Sequence, residues 1–434
     1  MRLIQTTGRG ARKAAEMIAA LETRGGTSLD SVLPAVRRIV ADVRRGGDRA
    51  LLRHAKKLDG LVDVEDLRIG ANEMTAAWEA CDAAMRAALT TAAKQIRGFA
   101  ERQMPQAWKC APIAGLITGQ LVRPLDAVGC YVPSGRHPLP STLLMTAVPA
   151  QVAGVERIVA VSANPARETL AAAHLLGITE FYRVGGAQAI AALAYGTESI
   201  ARVDKIVGPG NLYVTAAKRE VAFDCAIDML AGPTEIVVTS ERGTAAEIAS
   251  DLVAQAEHDP EALAIFITTR KALAEEVIAE TKARARTNAV AREALKRNGA
   301  VIVAASIEEA RKLTNRIAPE HLTVDSMEDL AWVRNAGSVF VGRWSAQPMG
   351  DYISGPNHTL PTGGLARVRG GLSGNDFVKL ITVQEYDAEA IRELGPKAVL
   401  LAEAEGLKAH AETVRVRLKS ASLKNARRGR KANG

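Results

Sequence analysis

Residues 157–207 read RIVAVSANPARETLAAAHLLGITEFYRVGGAQAIAALAYGTESIARVDKIV, and the fold class is decided within them. Arg157 to Ser162 is a short strand with an apolar centre, closed by Asn164-Pro165. Thr169 to Leu176 reads as a helix stopped by Gly177, and Glu180 to Val184 as a second strand broken by Gly185-Gly186. Gln188 to Tyr195 is helical, and Lys205-Ile206-Val207 is a third strand. The strands are continuous apolar runs, not alternations, so both of their faces are buried. Parallel strands covered by helices on each side produce that pattern.

The pattern extends both ways from this stretch. Upstream, Val32, Val36, Ile39, Val40 and Val43 recur at helical spacing within a region from Ser28 to about Arg102. Leu116-Ile117 and Ala127 to Val132 read as strands. Downstream of Gly232-Pro233 a second alternation begins. Its strands are Glu235–Thr239, Ala264–Thr268, Ala300–Ala304, Leu322–Asp325 and Ser338–Val341; its helices are Thr244–His258, Lys271–Ala283 and Ile307–Ile317. Two α/β units with a joint near Gly232 follow. From about Lys379 the chain turns helical and polar, ending in Ala398 to Lys419.

Composition fits a folded α/β protein: 47% apolar and 24% charged residues, with only 4% aromatics. The net charge of +8 is uneven. Leu423 to Gly434 carry five unopposed positives (Lys424, Arg427, Arg428, Arg430, Lys431), and the rest is left at +3. That tail lacks the aromatics that stack nucleic-acid bases, so it reads as a frayed, solvated end, and no nucleic-acid role is expected. No run of eighteen apolar residues suggests a membrane span, and Met1 to Lys13 lacks an apolar signal core. The four cysteines form no Cys-x-x-Cys. A cytoplasmic enzyme is the expectation. The absence of any Gly-Lys pair removes a P-loop, and the absence of GxGxxG removes the usual Rossmann fingerprint without removing NAD binding.

The chemistry-bearing residues concentrate late in the chain. Gln255 and His258 are three apart on one helix face, where an amide oxygen and an imidazole can share a metal. The alternative is a histidine whose charge suits a helix C-terminus. Glu320-His321 places two proton carriers side by side before a strand, and a solvated pair is an equally good reading of the fragment. His358 closes a long loop, GDYISGPNH over 350–358, of the kind that shapes sites. His54 and His174 read as structural, His137 is ambiguous, and His410 reads by default as an exposed helical histidine. Gly208-Pro209-Gly210-Asn211 and Gly185-Gly186-Ala187-Gln188 each join a strand to a helix N-terminus, where backbone amides can hold phosphate, although glycines also simply close turns.

Taken in order, CYVPSGRHPLPST, VGGAQAI, VGPGNLYVTAAKREV, DMLAGPTE, AQAEHDP, APEHL, GDYISGPNHTLPTGG and EGLKAH resemble the histidinol dehydrogenase family from about Val128 to His410. The resemblance implies two incomplete Rossmann-like, aldehyde-dehydrogenase-like domains with helical N- and C-terminal extensions. Its division is 1–27 as an N-terminal extension, 28–129 plus 233–378 as a first α/β domain, 130–232 as an NAD-binding domain, and 379–434 as an appendage reaching a partner subunit. It implies oxidation of L-histidinol to L-histidine through the aldehyde, with two NAD reduced, a zinc ion and a homodimer with shared active sites. Gln255, His258, Asp351 and His410 would be the zinc ligands, and these residues and His321 would also meet substrate. Glu320 and His321 would be the acid–base pair. Thr234, His358 and Glu405 would contact substrate; Tyr131, Gln188 and Asn211 would contact NAD. A paralogue acting on another polar alcohol, such as a sulfonated propanediol, is the rival, and Glu405 with His410 argues against it. Three stretches depart from the family pattern. Thr234 stands where serine is commoner, Ala346-Gln347-Pro348 stands where Pro-Glu is usual, and Ser134 and His137 occupy a glycine-rich turn. Loss of the carboxylate at 347 is expected to weaken metal orientation.

Overall fold

Strand β5 (Ala127–Tyr131) is buried along its whole length, which only a central strand with both faces covered achieves. The computed structural model describes residues 1–24, 29–61, 63–134 and 138–432, with Arg9 and residues 423–432 as backbone only. Ser28 and His137 lie outside the described residues. The chain divides into two compact units, Met1–Gln103 with Leu125–Phe377, and Met104–Pro124 with Val378–Gly434.

The larger unit holds two six-stranded sheets. Around β5 lie β6 (Arg157–Val161) and β7 (Glu180–Tyr182) on one side, and β8 (Lys205–Val207) and β9 (Ala226–Ile227) on the other, all parallel. The short β2 (Arg68–Ile69) adds antiparallel to the β7 edge. The chain moves outward from β5 and then returns to its other side. That reversal opens a crevice at the carboxyl ends of β5 and β8.

The other sheet repeats the plan around β10 (Glu235–Thr239), with β11 (Leu263–Thr268) and β12 (Gly299–Val303) on one side, and β13 (His321–Val324) and β14 (Ser338–Val341) on the other. β1 (Arg2–Gln5) pairs parallel with β12 and completes the edge. Both sheets thus carry an incomplete Rossmann order, as expected. The helix Ile307–Ile317 has the bounds read from the sequence, capped by the Ser306 hydroxyl accepting from the Glu309 amide.

Three expectations change. The helix Leu33–Leu58 packs with Gly186–Tyr195 and Leu212–Val221 over the sheet of β5, in one core that includes Val36, Leu51, Ile190 and Val214. The described residues of 29–103 therefore belong with the 127–227 sheet, not with 233–378, because buried apolar area decides the partner. Residues 1–27 are not a mere extension, since β1 extends the second sheet. The C-terminal part is not helical alone. In the smaller unit β15 (Val378–Tyr386) pairs antiparallel with β4 (Leu116–Pro124), which pairs with β3 (Trp108–Ile113). The helices Ala388–Ala404 and Lys408–Ala432 follow, so the basic tail continues a helix.

Glycine is required at Gly208, where φ is +110° and a Cβ would sit 2.2 Å from the Tyr131 carbonyl oxygen. Gly208→Ala is expected to cost about 1–3 kcal/mol of stability, read as a lower urea midpoint. An unchanged midpoint would show that the backbone relaxes there without strain.

Candidate active site

The amino ends of β10 and β13 lie side by side, with Ile236 opposite His321. This register brings together Thr234-Glu235 and Glu320-His321, which are more than eighty residues apart in sequence. The Thr234 hydroxyl donates to Glu320 Oε2 at 2.6 Å, and the Glu235 backbone N–H donates to the same oxygen at 2.8 Å. His321 Nδ1 lies 3.0 Å from the Glu235 carbonyl oxygen, so Nδ1 carries the proton of that bond. Nε2 is left facing Asp351 Oδ1 at 3.7 Å.

Asp351 comes from a short helix, Gln347–Tyr352, where the sequence suggests only loop. Gln347 lies one turn before it, and its amide N–H donates to Asp351 Oδ2 at 2.5 Å while standing 3.3 Å from His321 Nε2. Where the carboxylate is missing there stands instead a buried amide donor that binds Asp351 directly. Burial pushes the Asp351 carboxyl upward, but the adjoining His321 ring, first, and then the nearby imidazoles of His358 and His258 bring it below its ordinary value. Burial opposes charge on His321, but Glu320 and Asp351 together raise it to about 10. Both partners point the same way: the two groups are held as an ion pair.

His358 has both nitrogens engaged. Nδ1 donates to the Asp351 carbonyl oxygen at 2.8 Å, and Nε2 lies 3.2 Å from the Thr142 hydroxyl. Burial lowers its pKa, and the ring is a neutral wall with a fixed tautomer. Gln255, on the helix Ala245–Ala256, donates through Nε2 to the Thr234 hydroxyl. Its carbonyl Oε1 is buried and has no hydrogen-bond partner. Thr234, Gln255, His258, Glu320, His321, Asp351 and His358 all line one cleft of about 200 Å³. Among the described residues no three His, Cys, Asp or Glu side chains gather as a metal group. Of the residues expected to hold zinc, this cleft contains Gln255, His258 and Asp351.

A second cleft, about 910 Å³, opens at the carboxyl ends of the strands around β5 and holds Tyr131, Gln188 and Asn211. The Gly186 N–H donates to the Tyr131 hydroxyl at 3.1 Å, and burial pushes that phenol up to about 12, so it stays a neutral donor. Gln188 Nε2 donates to Asp59 at 2.9 Å, and its buried Oε1 has no partner. The Asn211 side chain accepts from the Tyr213 and Val214 amides and caps the helix Leu212–Val221. The Gly208 turn is fixed by a buried ion pair. Lys218 Nζ meets Asp228 Oδ1 at 2.6 Å, and Asp228 Oδ2 accepts the Gly208 N–H at 2.7 Å. Leu139 and His258 line both clefts and join them.

A model of the histidinol dehydrogenase family matches residues 22–418. The chain belongs to the histidinol dehydrogenase family. The histidinol dehydrogenase of Bacillus thuringiensis subsp. konkukian is 47% identical over 399 residues, covering 89% of this chain and 93% of that protein. That of Methanothermobacter thermautotrophicus is 46% identical over 416 residues, covering 93% and 97%. The crystal structure of histidinol dehydrogenase from Elizabethkingia anophelis matches with a TM-score of 0.91 at 34% identity, over 97% of this chain and 99% of that one.

Within this histidinol dehydrogenase fold, two expected site residues lie in the smaller unit. Glu405 follows the helix Ala388–Ala404, and Gly406, at φ +76°, turns the chain into Lys408–Ala432, whose first turn carries His410. Both side chains are exposed. Sequence reasoning missed Asp59, which binds Gln188 and the Gly185 amide, and Arg38 and Lys57, which line the larger cleft. It also gave no role to Glu235, although that residue ends the quoted DMLAGPTE string. Of the two histidines read as structural, His174 stacks on Trp78 with centroids 5.7 Å apart, whereas His54 meets Asp42 at 3.3 Å and lines the larger cleft with it.

Proposed function

We propose that this chain oxidises L-histidinol to L-histidine through the aldehyde, the last step of histidine biosynthesis, with NAD as hydride acceptor and zinc in the smaller cleft. One observation carries the reading. A buried carbonyl oxygen without a partner, Gln255 Oε1, shares a cleft with His258, Asp351 and a buried Glu-His pair. An orphaned polar atom at that depth is costly unless a ligand satisfies it. Its chemistry with imidazole and carboxylate suits zinc. Gln255, His258 and Asp351 would hold the ion, with His410 arriving from a second copy of the chain. Glu405 of that copy, His358 and Thr234 would meet the substrate, and Tyr131, Gln188 and Asn211 the NAD. The exposure of Glu405 and His410 supports the shared site and the homodimer. The Gln188 oxygen and the amides of the glycine turns support the nucleotide.

What the two groups supply when bound is a Lewis acid at the substrate oxygen and a hydride acceptor. The rest falls to side chains of the protein. His321 keeps its Nδ1 proton on the Glu235 carbonyl, so the proton leaving the alcohol is received at Nε2. With both carboxylates charged the imidazole is cationic. It becomes an acceptor where the charges of both Glu320 and Asp351 are compensated. Glu320 has Oε2 held by two donors, which leaves its other oxygen to draw a proton from water in the aldehyde step. A cytoplasmic setting is consistent with cysteines that are all free. No described helix is long and apolar enough to cross a membrane.

The reading is tested by steady-state rates of the metal-replete protein on L-histidinol and on a sulfonated propanediol. L-histidinol is expected to lead in kcat/KM by about 10⁴-fold, as for a site that pairs with substrate polar groups. Preference for the sulfonate would replace it with the paralogue reading. Gln347→Leu is expected to weaken zinc affinity about 10–100-fold, measured by competition with a chromophoric chelator. Unchanged affinity would show that Asp351 needs no such support.

A further inference from the structure

The backbone that carries Glu320 and His321 is gripped by two residues that do not line the cleft. Arg24 follows the helix Ala11–Glu22, and Glu235 opens β10, 211 positions later. The guanidinium meets the Glu235 carboxylate with two parallel bonds, Nε to Oε1 at 2.8 Å and Nη2 to Oε2 at 2.7 Å. Its remaining N–H groups reach the Ile317 carbonyl oxygen at 2.7 Å and that of Ala318 at 3.4 Å, and also that of Leu21. Side-chain exposure is 16% for Arg24 and 4% for Glu235, so the pair is sheltered from water and salt.

Ala318 explains why such a grip is needed. It is the sole non-glycine residue with positive φ among the described residues, at φ 52° and ψ 65°. Left-handed geometry is unfavourable for a residue with a Cβ by about 1–2 kcal/mol. Here it turns the chain sharply from the helix Ile307–Ile317 into Pro319-Glu320-His321. Arg24 holds the carbonyls on one side of this turn. Glu235 holds the other side, with Oε2 accepting the Glu320 N–H at 3.3 Å and Oε1 accepting the Gly363 N–H at 3.0 Å. The same Glu235 gives its backbone N–H to the Glu320 carboxylate and its carbonyl to His321 Nδ1. One residue thus fixes the acid by two bonds and the base by one.

We infer that Arg24 and Glu235 form a positioning pair that sets the Glu320 carboxylate and the His321 ring for proton transfer. The inference rests on the reading of Glu320 and His321 as the acid–base pair. The pair lies outside the lining of the cleft and acts through the strained turn at Ala318. Arginine is required because its planar fork serves a carboxylate and two carbonyls at once, which a lysine ammonium cannot do.

Arg24→Lys tests this in the full-length, metal-loaded protein. The charge on Glu235 stays compensated, but the fork is lost. The expected result is a fall in kcat of about 10²-fold, the scale of a small misplacement of reacting groups. KM for L-histidinol and bound zinc should stay within about threefold, with circular dichroism unchanged, because ground-state binding does not pass through the pair. A kcat within twofold of the parent protein overturns the proposal. Glu235→Gln, which keeps its backbone contacts and one side-chain acceptor, is measured beside it. If in both variants kcat falls only in proportion to the folded fraction, the pair is structural and the proposal fails. His321→Asn assayed in parallel separates the two readings. An active His321→Asn sinks the acid–base assignment itself, whereas an inactive one beside a fully active Arg24→Lys sinks only the positioning role.

Discussion

His321→Asn is expected to lower kcat by about 10²–10⁴-fold, the range that a positioned proton acceptor contributes. Asparagine is the informative replacement. Its amide N–H can still donate toward the Glu235 carbonyl that His321 Nδ1 meets at 3.0 Å, so the buried turn keeps its partner. What disappears is Nε2, the nitrogen that faces Asp351 and the cleft. KM should move far less than kcat, since the ring makes an interaction needed in the transition state more than in binding. Initial rates over a range of L-histidinol concentrations check this. A loss below tenfold would mean that another group takes the proton.

The second large effect concerns the ligands. His258→Asn and His410→Asn are each expected to abolish activity and to leave the purified protein without stoichiometric zinc, measured by atomic absorption. Neither variant alone tells whether a site is built from one chain. Mixing His321→Asn with His410→Asn subunits does. In a heterodimer one site joins the intact His321 of one subunit to the intact His410 of the other, and the opposite site carries both lesions. Random reassociation about a two-fold axis should restore about one quarter of wild-type activity. Verified heterodimers without activity would show that each chain supplies its own His410.

These expectations draw on both sequence and fold, which were legible to different degrees. The strands at 157–161 and 205–207 were readable because parallel strands with covered faces leave apolar runs, and the half-buried edge strand at 338–341 was readable from its short apolar run. The helix Pro140–Ala153 was not read. It is buried on nearly every side, so it has no polar face and no helical period, and it contains Pro149. β1 is four residues long, and its place beside β12 depends on a partner nearly three hundred positions away. The assignment of the 33–103 helices to a sheet failed for the same reason. Their apolar stripe can cover either sheet, and packing of residues such as Leu51 and Val36 with Ile190 and Val214 decides it.

In the site, Glu320-His321 and Gln255…His258 were visible because each pair is local. The grip on them was not visible. Arg24 and Glu235 are ordinary residues in the sequence, and their roles exist only once β10 and β13 are adjacent. Gln347 shows the reverse case. From the family pattern it looked like a loss, and the fold shows a buried amide donating to Asp351.

The central claim is a two-step oxidation of L-histidinol in the cleft of Glu320 and His321. The most direct test is the yield of NADH from a limiting, weighed amount of L-histidinol, run with zinc and again after chelation. The account predicts two NADH per histidinol, abolished by the chelator and restored by zinc. One NADH per histidinol would contradict the aldehyde step assigned to Glu320, and no NADH from folded, metal-replete protein would contradict the proposed substrate.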